Sequence, residues 1–311
     1  MNKVAAIFPG QGSQYVGMGK DLYESSSDVR ALYEYASTLI GEDLAKISFE
    51  GPAERLKQTR FTQPAILVHS LAALEIMGED IPPLEIVAGH SLGEYSALVC
   101  AGSLSAEEAI KLVVTRANLM EKASQAREGA MAAIVGLSEE TLIKVCKDVS
   151  SKGIVVAANL NSSAQIVLSG DLGAVRAAAD LAKEKGAKRA IMLEVGGAFH
   201  SPLMESALEG MKKALSAVTI SIPQIGFVPN VTATKENTPD VIKQLLEKQI
   251  TAPVRWLETM ATIRESRVDT VIEIGPGKIL SGLAKREIKP ETIINLDTLA
   301  SIRKFAAPVE V

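Results

Sequence analysis

The chain has 311 residues, of which 47% are hydrophobic and 23% charged, a composition that excludes a disordered protein and fits two domains or one domain with an insertion. The net charge is −4, from 33 basic and 37 acidic residues, so we expect neither nucleic acid nor an anionic membrane as a partner. Only two cysteines occur, and no apolar run approaches the roughly 20 residues of a membrane span. We therefore expect a soluble, cytoplasmic protein.

The first part of the chain alternates between strand and helix patterns. An apolar strand, Lys3 to Phe8, leads into a glycine-rich loop that ends at Gln14. A strand followed by a helix, and then by another strand, is typical of a parallel sheet with helices on its faces. The further predicted elements are helices at 21–40 and 63–77, a strand at 85–88, a helix that ends at Cys100, and a helix that begins at Ser105 with a capping box to Glu108.

From Gly129 to Val195 the order of predicted elements is β-α-β-β-α-β, which is typical of the ferredoxin-like unit. The strand–helix pattern resumes afterwards, with helices from Pro202, from Pro239 and around Trp256, and strands at 270–274 and 292–296. We therefore predict an α/β protein with two parts. The large part, residues 1–128 and 196–311, is an α/β-hydrolase-like catalytic domain with a parallel sheet core. The inserted part, residues 129–195, is a small ferredoxin-like α+β subdomain.

The strongest local motif is Gly89-His90-Ser91-Leu92-Gly93, which lies between a predicted strand and a predicted helix. In this context a Gly-x-Ser-x-Gly motif forms a sharp turn that exposes the serine, and the glycines let strand and helix approach closely. The backbone N–H of Leu92, at the start of the new helix, is placed to bind an oxyanion. We predict Ser91 as a nucleophile; the alternative is an incidental serine in a glycine-rich connection.

A nucleophilic serine needs a base, and the sequence contains only three histidines. His69 lies inside a helix that is apolar on all sides, where a hydrogen-bonded core histidine is the simpler interpretation. His90 adjoins Ser91 at the tight turn, where neighbouring side chains point apart. His200 lies in a loop between a strand and a helix, where α/β folds place functional groups. By elimination His200 is the predicted base, oriented by a backbone carbonyl or an amide because no acidic third member is evident.

Arg116 lies on the apolar stripe of the helix that begins at Ser105, together with Leu112 and Met120. An arginine on a face directed at the core needs a partner. One interpretation is a structural ion pair with a buried carboxylate. The other is bidentate binding of a substrate carboxylate, for which the planar guanidinium is suited. The position of Arg116 alone leaves both open.

Two further glycine motifs have weaker interpretations. The loop after the first strand has the spacing Gly10-x-Gly12-x-x-Tyr15, and a tyrosine at the third glycine position makes a dinucleotide site a weak hypothesis. Gln11 of this loop is an alternative donor of an oxyanion N–H. The Gly-Pro-Gly sequence at 275–277 predicts a tight helix entry, with an anion site as the alternative. The cysteines and histidines have no metal-ligand spacing, so we expect no metal.

Six motifs occur together in the chain and resemble those of the bacterial malonyl-CoA:acyl carrier protein transacylases, in the same order and over essentially the whole chain. The resemblance implies that Ser91 is acylated, that His200 is the base, and that Gln11 and Leu92 donate oxyanion N–H groups. It further implies that Arg116 holds the malonyl carboxylate, that Gln249 orients His200 through its main chain, and that Gln63 lines the substrate pocket. The motifs are Pro9-Gly10-Gln11-Gly12-Ser13-Gln14, Thr62-Gln63-Pro64-Ala65, Gly89-His90-Ser91-Leu92-Gly93, Ala198-Phe199-His200-Ser201, Pro253-Val254-Arg255-Trp256 and Glu273-Ile274-Gly275-Pro276-Gly277.

The function that the resemblance implies is transfer of a malonyl group from malonyl-CoA to the phosphopantetheine thiol of acyl carrier protein, for fatty acid synthesis. We expect a monomer that needs no cofactor and no metal, with acyl carrier protein and malonyl-CoA or CoA as its partners. Three alternatives remain open at this point. They are a serine thioesterase or hydrolase with the same turn, an acyltransferase that acts in trans for polyketide synthesis, and a dinucleotide-binding module that uses the Gly10 loop.

Overall fold

The computed structural model describes residues 3–306, and the predicted large domain extends beyond them by two residues at the start and five at the end. The strands are β1 (Val4–Phe8), β2 (Leu84–Gly89), β3 (Gly129–Val135), β4 (Val155–Ser162), β5 (Gln165–Asp171), β6 (Arg189–Met192), β7 (Gly226–Val228), β8 (Thr270–Ile274) and β9 (Thr292–Leu296). The helices are α1 (Lys20–Ser25), α2 (Ser27–Ile40), α3 (Leu44–Glu50), α4 (Ala53–Leu56), α5 (Thr59–Met77), α6 (Gly93–Cys100), α7 (Ala106–Ala126), α8 (Glu139–Asp148), α9 (Leu172–Glu184), α10 (Leu208–Ser216), α11 (Pro239–Lys248), α12 (Trp256–Glu265), α13 (Ile279–Glu287) and α14 (Leu299–Ala306).

Five strands form a parallel sheet in the order β7-β2-β1-β8-β9. Every residue of β1 is buried, as expected for a strand that helices cover on both faces. The carboxyl ends of β1 and β2 lie side by side, because Phe8 pairs with Gly89. The loop after β1 and the turn after β2 therefore meet at one edge of the sheet.

The other four strands form a separate antiparallel sheet in the order β4-β5-β3-β6. Helices α8 and α9 contribute to its own apolar core, in which Leu142 and Ala178 are fully buried. The prediction of a mixed α/β protein with a parallel sheet and a change of pattern after Gly129 is confirmed. Backbone hydrogen bonds join β4 to the segment before α12, since Leu160 N donates to Val254 O and Val254 N donates to Ala158 O.

The structure differs from the sequence prediction in several places. The helix predicted at 21–40 is two helices, because Ser26 adopts an extended conformation and accepts hydrogen bonds from the N–H groups of Asp28 and Val29 as the cap of α2. The last strand of the β-α-β-β-α-β segment, which was predicted to extend to Val195, ends at Met192. Strand β7 was not predicted, since three residues are too few for a recognisable alternation. Helices α3, α4 and α14 were not predicted either. The predicted cap of α7 is present: the Glu108 N–H donates to Ser105 Oγ. None of the described helices is long and apolar enough to cross a membrane.

Candidate active site

Ser91 occupies a sharp turn between β2 and α6. Its φ angle is 52°, a left-handed conformation that is strained for a residue with a β-carbon. A β-carbon at Gly89 would lie 1.9 Å from the backbone carbon of Gly93, and one at Gly93 would lie 2.3 Å from the Phe8 oxygen. The two glycines are therefore required for strand, turn and helix to pack together, as the motif predicts.

His200 and Gln249 continue a hydrogen-bonded chain that starts at Ser91. The Ser91 Oγ lies 2.8 Å from His200 Nε2, and His200 Nδ1 lies 2.8 Å from the backbone oxygen of Gln249. A carbonyl oxygen only accepts hydrogen bonds, so Nδ1 carries the proton and Nε2 presents its lone pair to the serine hydroxyl. The arrangement is a serine–histidine dyad in which a backbone carbonyl stands where a triad has a carboxylate.

The imidazole of His200 is held in its neutral form. Burial, together with the positive charge of Arg116, lowers the pKa of His200 to about 3. His200 is only 3% exposed, so bulk water contributes little to stabilising an imidazolium. His200 is therefore free to accept a proton at neutral pH.

Arg116 is fully buried on α7 and donates to three neutral oxygen atoms. Its Nη1 donates to Gln63 Oε1 at 2.6 Å, and its Nη2 donates to Ser91 Oγ at 3.0 Å and to Gln249 Oε1 at 2.9 Å. Within residues 3–306 no carboxylate oxygen lies within 4.0 Å of the guanidinium, and burial lowers its pKa. The positive charge of Arg116 thus has no direct ion-pair partner among these residues, and it lies next to Ser91, the serine of the Gly-x-Ser-x-Gly motif.

A cavity of about 130 Å³ opens in front of this dyad. Gln11 lines it from the loop after β1, and the backbone N–H groups of Gln11 and Leu92 donate to no acceptor among the described residues. The rest of the lining is mainly apolar. The residues that line the cavity are Gln11, Gln63, His90, Ser91, Met120, Met131, Asn159, Asn161, Val167, Leu193, Val195, Phe199 and His200.

The other two histidines have structural partners. The Nε2 of His69 lies 2.8 Å from the backbone oxygen of Asp297, inside the core. The Nε2 of His90 lies 2.9 Å from Asn161 Oδ1, and the His90 ring packs edge-on against Trp256. Of the three histidines, only His200 makes a hydrogen bond to Ser91.

The two other glycine motifs, the loop after β1 and the Gly-Pro-Gly turn at 275–277, have structural roles. A β-carbon at Gly10 would lie 2.5 Å from the His90 oxygen, so this glycine lets the two loops at the sheet edge approach each other. Tyr15, at the third glycine position of the weak dinucleotide pattern, donates its hydroxyl to Asp297. The start of α13 after the Gly-Pro-Gly turn is already capped, because the Glu273 carboxylate accepts from the N–H groups of Leu280 and Ser281. No group of three potential metal ligands lies together anywhere in residues 3–306.

Sequence reasoning missed two buried residues of the site, Asn230 and Glu94. Asn230 follows β7 and accepts a hydrogen bond from the Ser91 N–H at 2.7 Å. One carboxylate oxygen of Glu94 accepts from the Asn230 N–H, and burial raises the pKa of Glu94 to about 7. The available signal for Glu94 was an acidic residue inside an otherwise apolar helix, three positions after the serine.

A serine on a strained turn, a neutral histidine bonded to its hydroxyl, and a buried arginine beside them are typical of enzymes that form a covalent intermediate with an acyl group. The chain belongs to the acyl transferase domain family, whose model matches residues 6–300. It is therefore an acyltransferase.

Among its curated relatives is the malonyl CoA-acyl carrier protein transacylase of Bacillus subtilis, which is 46% identical over 287 residues, or 92% of this chain and 90% of the relative. The protein of the same name from Haemophilus influenzae is 43% identical over 97% of both chains. Among solved structures, the acyl-carrier-protein-S-malonyltransferase of Bartonella henselae has a TM-score of 0.92, 41% identity, and coverage of 97% of this chain and 98% of its own. A chain also matches in the solved structure of a type II PKS acyl-carrier protein in complex with its malonyl-transacylase. Its TM-score is 0.92 and its identity 39%, with coverage of 98% of this chain and 99% of that chain.

Proposed function

We propose that this protein transfers a malonyl group from malonyl-CoA to the phosphopantetheine thiol of acyl carrier protein through a malonyl-serine intermediate, and so supplies fatty acid synthesis. The observation that carries the proposal is the placement of a charged, unpaired guanidinium against the serine of a dyad, because a malonyl group has a free carboxylate. The names of relatives at 43–46% identity support the same substrate and acceptor.

In the proposed mechanism, His200 accepts the proton of Ser91 as Oγ forms a bond to the thioester carbon. The N–H groups of Gln11 and Leu92 stabilise the oxyanion, and when it collapses the C–S bond breaks and CoA leaves with the proton from His200. The phosphopantetheine thiol then gives its proton to His200 and attacks the malonyl ester. The bond between the acyl carbon and Ser91 Oγ breaks, and Oγ takes the proton back from His200. The hydrogen bond from His200 Nδ1 to the Gln249 oxygen supports a role for Gln249 in orienting the ring.

Arg116 and Gln63 are the proposed ligands of the malonyl carboxylate. In the free enzyme Ser91 Oγ and Gln63 Oε1 accept from the guanidinium. Once Ser91 is esterified, its Oγ is a poor acceptor, so an Arg116 N–H is released close to the acyl group. A carboxylate is a better acceptor than the amide of Gln63 and compensates the buried charge. This favours carboxylate binding over a structural ion pair.

The proposed enzyme is an α/β-hydrolase-like domain, residues 1–128 and 196–311, with a ferredoxin-like subdomain, residues 129–195, that covers the substrate. The antiparallel order β4-β5-β3-β6 and the separate core of that segment support the division. The proposed enzyme works as a monomer, because its dyad and guanidinium site need no side chain from a second copy. The proposed location is the cytoplasm. Cys100 and Cys146 are both free thiols, as is usual for proteins of this reducing compartment. The proposed reaction needs no cofactor and no metal.

The alternative functions differ in the group that accepts the malonyl: water in a thioesterase, and a carrier protein of polyketide synthesis in a trans-acting acyltransferase. One experiment separates them from the proposed function. The protein is incubated with malonyl-CoA alone, with holo acyl carrier protein added, or with the apo form, and the carrier is analysed by intact mass. Malonyl transfer to the holo form only is expected. Release of malonate at the same rate with and without carrier would favour a thioesterase. A carrier from polyketide synthesis, tested in parallel, decides between the two pathways; the solved complex with such a carrier makes that comparison necessary.

We expect His200→Ala to slow acylation of Ser91 by malonyl-CoA about a hundredfold or more, because general base catalysis typically contributes at least that factor. The rate is measured by rapid quench and intact mass at saturating malonyl-CoA. His69→Gln serves as the matched control, since that ring is buried but bonded only to Asp297. Acylation at the wild-type rate in His200→Ala would show that His200 is not the base and would make His90 the next candidate.

The low pKa of His200 predicts an unusual pH profile. An ordinary histidine base loses activity as the pH falls through about 6.5. Because burial and Arg116 lower the pKa of His200 to about 3, the base stays unprotonated, and kcat/KM for malonyl-CoA should remain flat from pH 8 to pH 5. A descending limb with a midpoint near 6.5 would contradict this description of the site.

A further inference from the structure

The conformation of Ser91 requires a cause outside the turn itself. A left-handed φ of 52° at a serine is unfavourable, and such a residue keeps it only where surrounding contacts hold it. The glycines at 89 and 93 make room for the turn, but they have no side chain that could hold Ser91 in this conformation. The surroundings of Ser91 therefore need to include groups that bond to the backbone on both sides of the residue.

Asn230 supplies two such bonds from a single side chain. Its Oδ1 accepts from the Ser91 N–H at 2.7 Å, and its Nδ2 donates to the Gly89 oxygen at 2.7 Å. A carboxamide has a donor and an acceptor side by side, so it can bridge these two groups, whereas a carboxylate lacks the donor and an aliphatic side chain lacks both. Asn230 is fully buried, so water does not replace either bond.

Glu94 holds Asn230 in turn. It lies in the first turn of α6, fully buried, and one of its carboxylate oxygens accepts the backbone N–H of Asn230. The backbone oxygen of Asn230 accepts from the Arg255 N–H at 3.1 Å, so its main chain is fixed on both sides. A closed ring of contacts thus runs from the turn to α6, through Glu94 to Asn230, and back to the turn.

We propose that Asn230 and Glu94 are positioning residues for the acylation step: together they hold the Ser91 backbone in the left-handed conformation that aims Oγ at His200 and the Leu92 N–H at the oxyanion. Neither residue lines the cavity in front of the dyad. Their effect is on the geometry of the nucleophile, and it should appear in the rate of the chemical step and leave substrate binding unchanged. The inference rests on the proposed malonyl transfer.

The test measures acylation by malonyl-CoA in rapid-quench single turnovers, with the Tm of each variant. Asn230→Leu keeps the approximate volume and removes both bonds, and Asn230→Asp removes only the donor. We expect Asn230→Leu to lower the maximal acylation rate about tenfold to a hundredfold, because misplacement of a reacting group by about 1 Å costs up to that factor. The concentration of malonyl-CoA that gives half the maximal rate should stay unchanged, and Asn230→Asp should lie between Leu and wild type.

Glu94 provides the second arm in case Asn230→Leu does not fold. Glu94→Gln keeps a carbonyl acceptor for the Asn230 N–H and should retain most of the rate, whereas Glu94→Ala should lose about as much as Asn230→Leu. Asn237→Ala, at an exposed asparagine, is the surface control. Val271→Ala, at a buried position of β8, is the control for a lowered Tm away from the turn.

Three results would overturn the inference: acylation at the wild-type rate in Asn230→Leu or in Glu94→Ala, equal losses in Glu94→Gln and Glu94→Ala, or a loss in Val271→Ala that matches the loss in Asn230→Leu at equal Tm. Failure of the wild-type protein to take up malonyl would instead refute the proposed function. The two failures are therefore distinct.

Discussion

Ser91→Ala should leave a folded protein that never acquires a malonyl group. Among the described residues its Oγ is the only atom hydrogen-bonded to both the His200 imidazole and the Arg116 guanidinium, at 2.8 and 3.0 Å, so none of the other hydroxyls there can replace it. Alanine removes one atom and keeps the packing of the turn, so the Tm should change little. The measurement is intact mass after incubation with excess malonyl-CoA.

Ser96→Ala is the matched control for this substitution. Ser96 is also fully buried, on the helix that follows the turn, and its Oγ has no hydrogen-bond partner among the described residues. It should acylate like the wild type. A malonyl adduct at full occupancy on Ser91→Ala would place the nucleophile elsewhere.

Arg116→Ala should lower the ratio of malonyl to acetyl transfer. Loss of a buried, charge-assisted carboxylate contact should cost about 2–5 kcal/mol of interaction with malonyl-CoA. Acetyl-CoA has no carboxylate, and His200 still holds Ser91 Oγ in the variant, so acetyl transfer should fall little or rise. Arg116→Lys should recover only part of the loss, because an ammonium keeps the charge but lacks the planar pair of donors.

The measurement is kcat/KM for malonyl-CoA and for acetyl-CoA in the wild type and both variants, with a melting curve for each. A purely structural arginine predicts a different pattern, in which the Tm falls and both substrates suffer alike. An unchanged ratio of malonyl to acetyl transfer would show that the guanidinium does not bind the carboxylate.

The sequence predicted those parts of the fold that follow from local patterns. The buried strands, the capped helix α7 and the change of pattern at Gly129 are encoded in apolar periodicity and in single cap residues, and they occur as expected. Strand β7 has three residues and sits between prolines at 223 and 229, so no alternation could be read there. The break at Ser26 depends on one capping side chain within a continuous helical pattern.

The proposed dyad could be predicted for a similar reason: a motif with glycines at fixed positions marked the serine, and the sequence offered only three histidines. The partners of Arg116 could not be predicted from its position, because Gln63 lies on α5 and Gln249 follows α11, and only the packed fold brings them together. The role of Asn230 could not be predicted for the same reason, since Asn230 is 139 positions away in the sequence from Ser91, to which it is hydrogen-bonded.

The most direct test of the account isolates the intermediate. The wild-type enzyme is mixed with malonyl-CoA, freed of CoA by rapid desalting, and split into two portions: one is digested to locate the malonyl mass, and the other receives holo acyl carrier protein. We expect a malonyl group on the peptide that contains Ser91 and its complete transfer to the carrier thiol in the absence of any CoA. A malonyl group on another peptide, or transfer that occurs only while malonyl-CoA and carrier are present together, would contradict it.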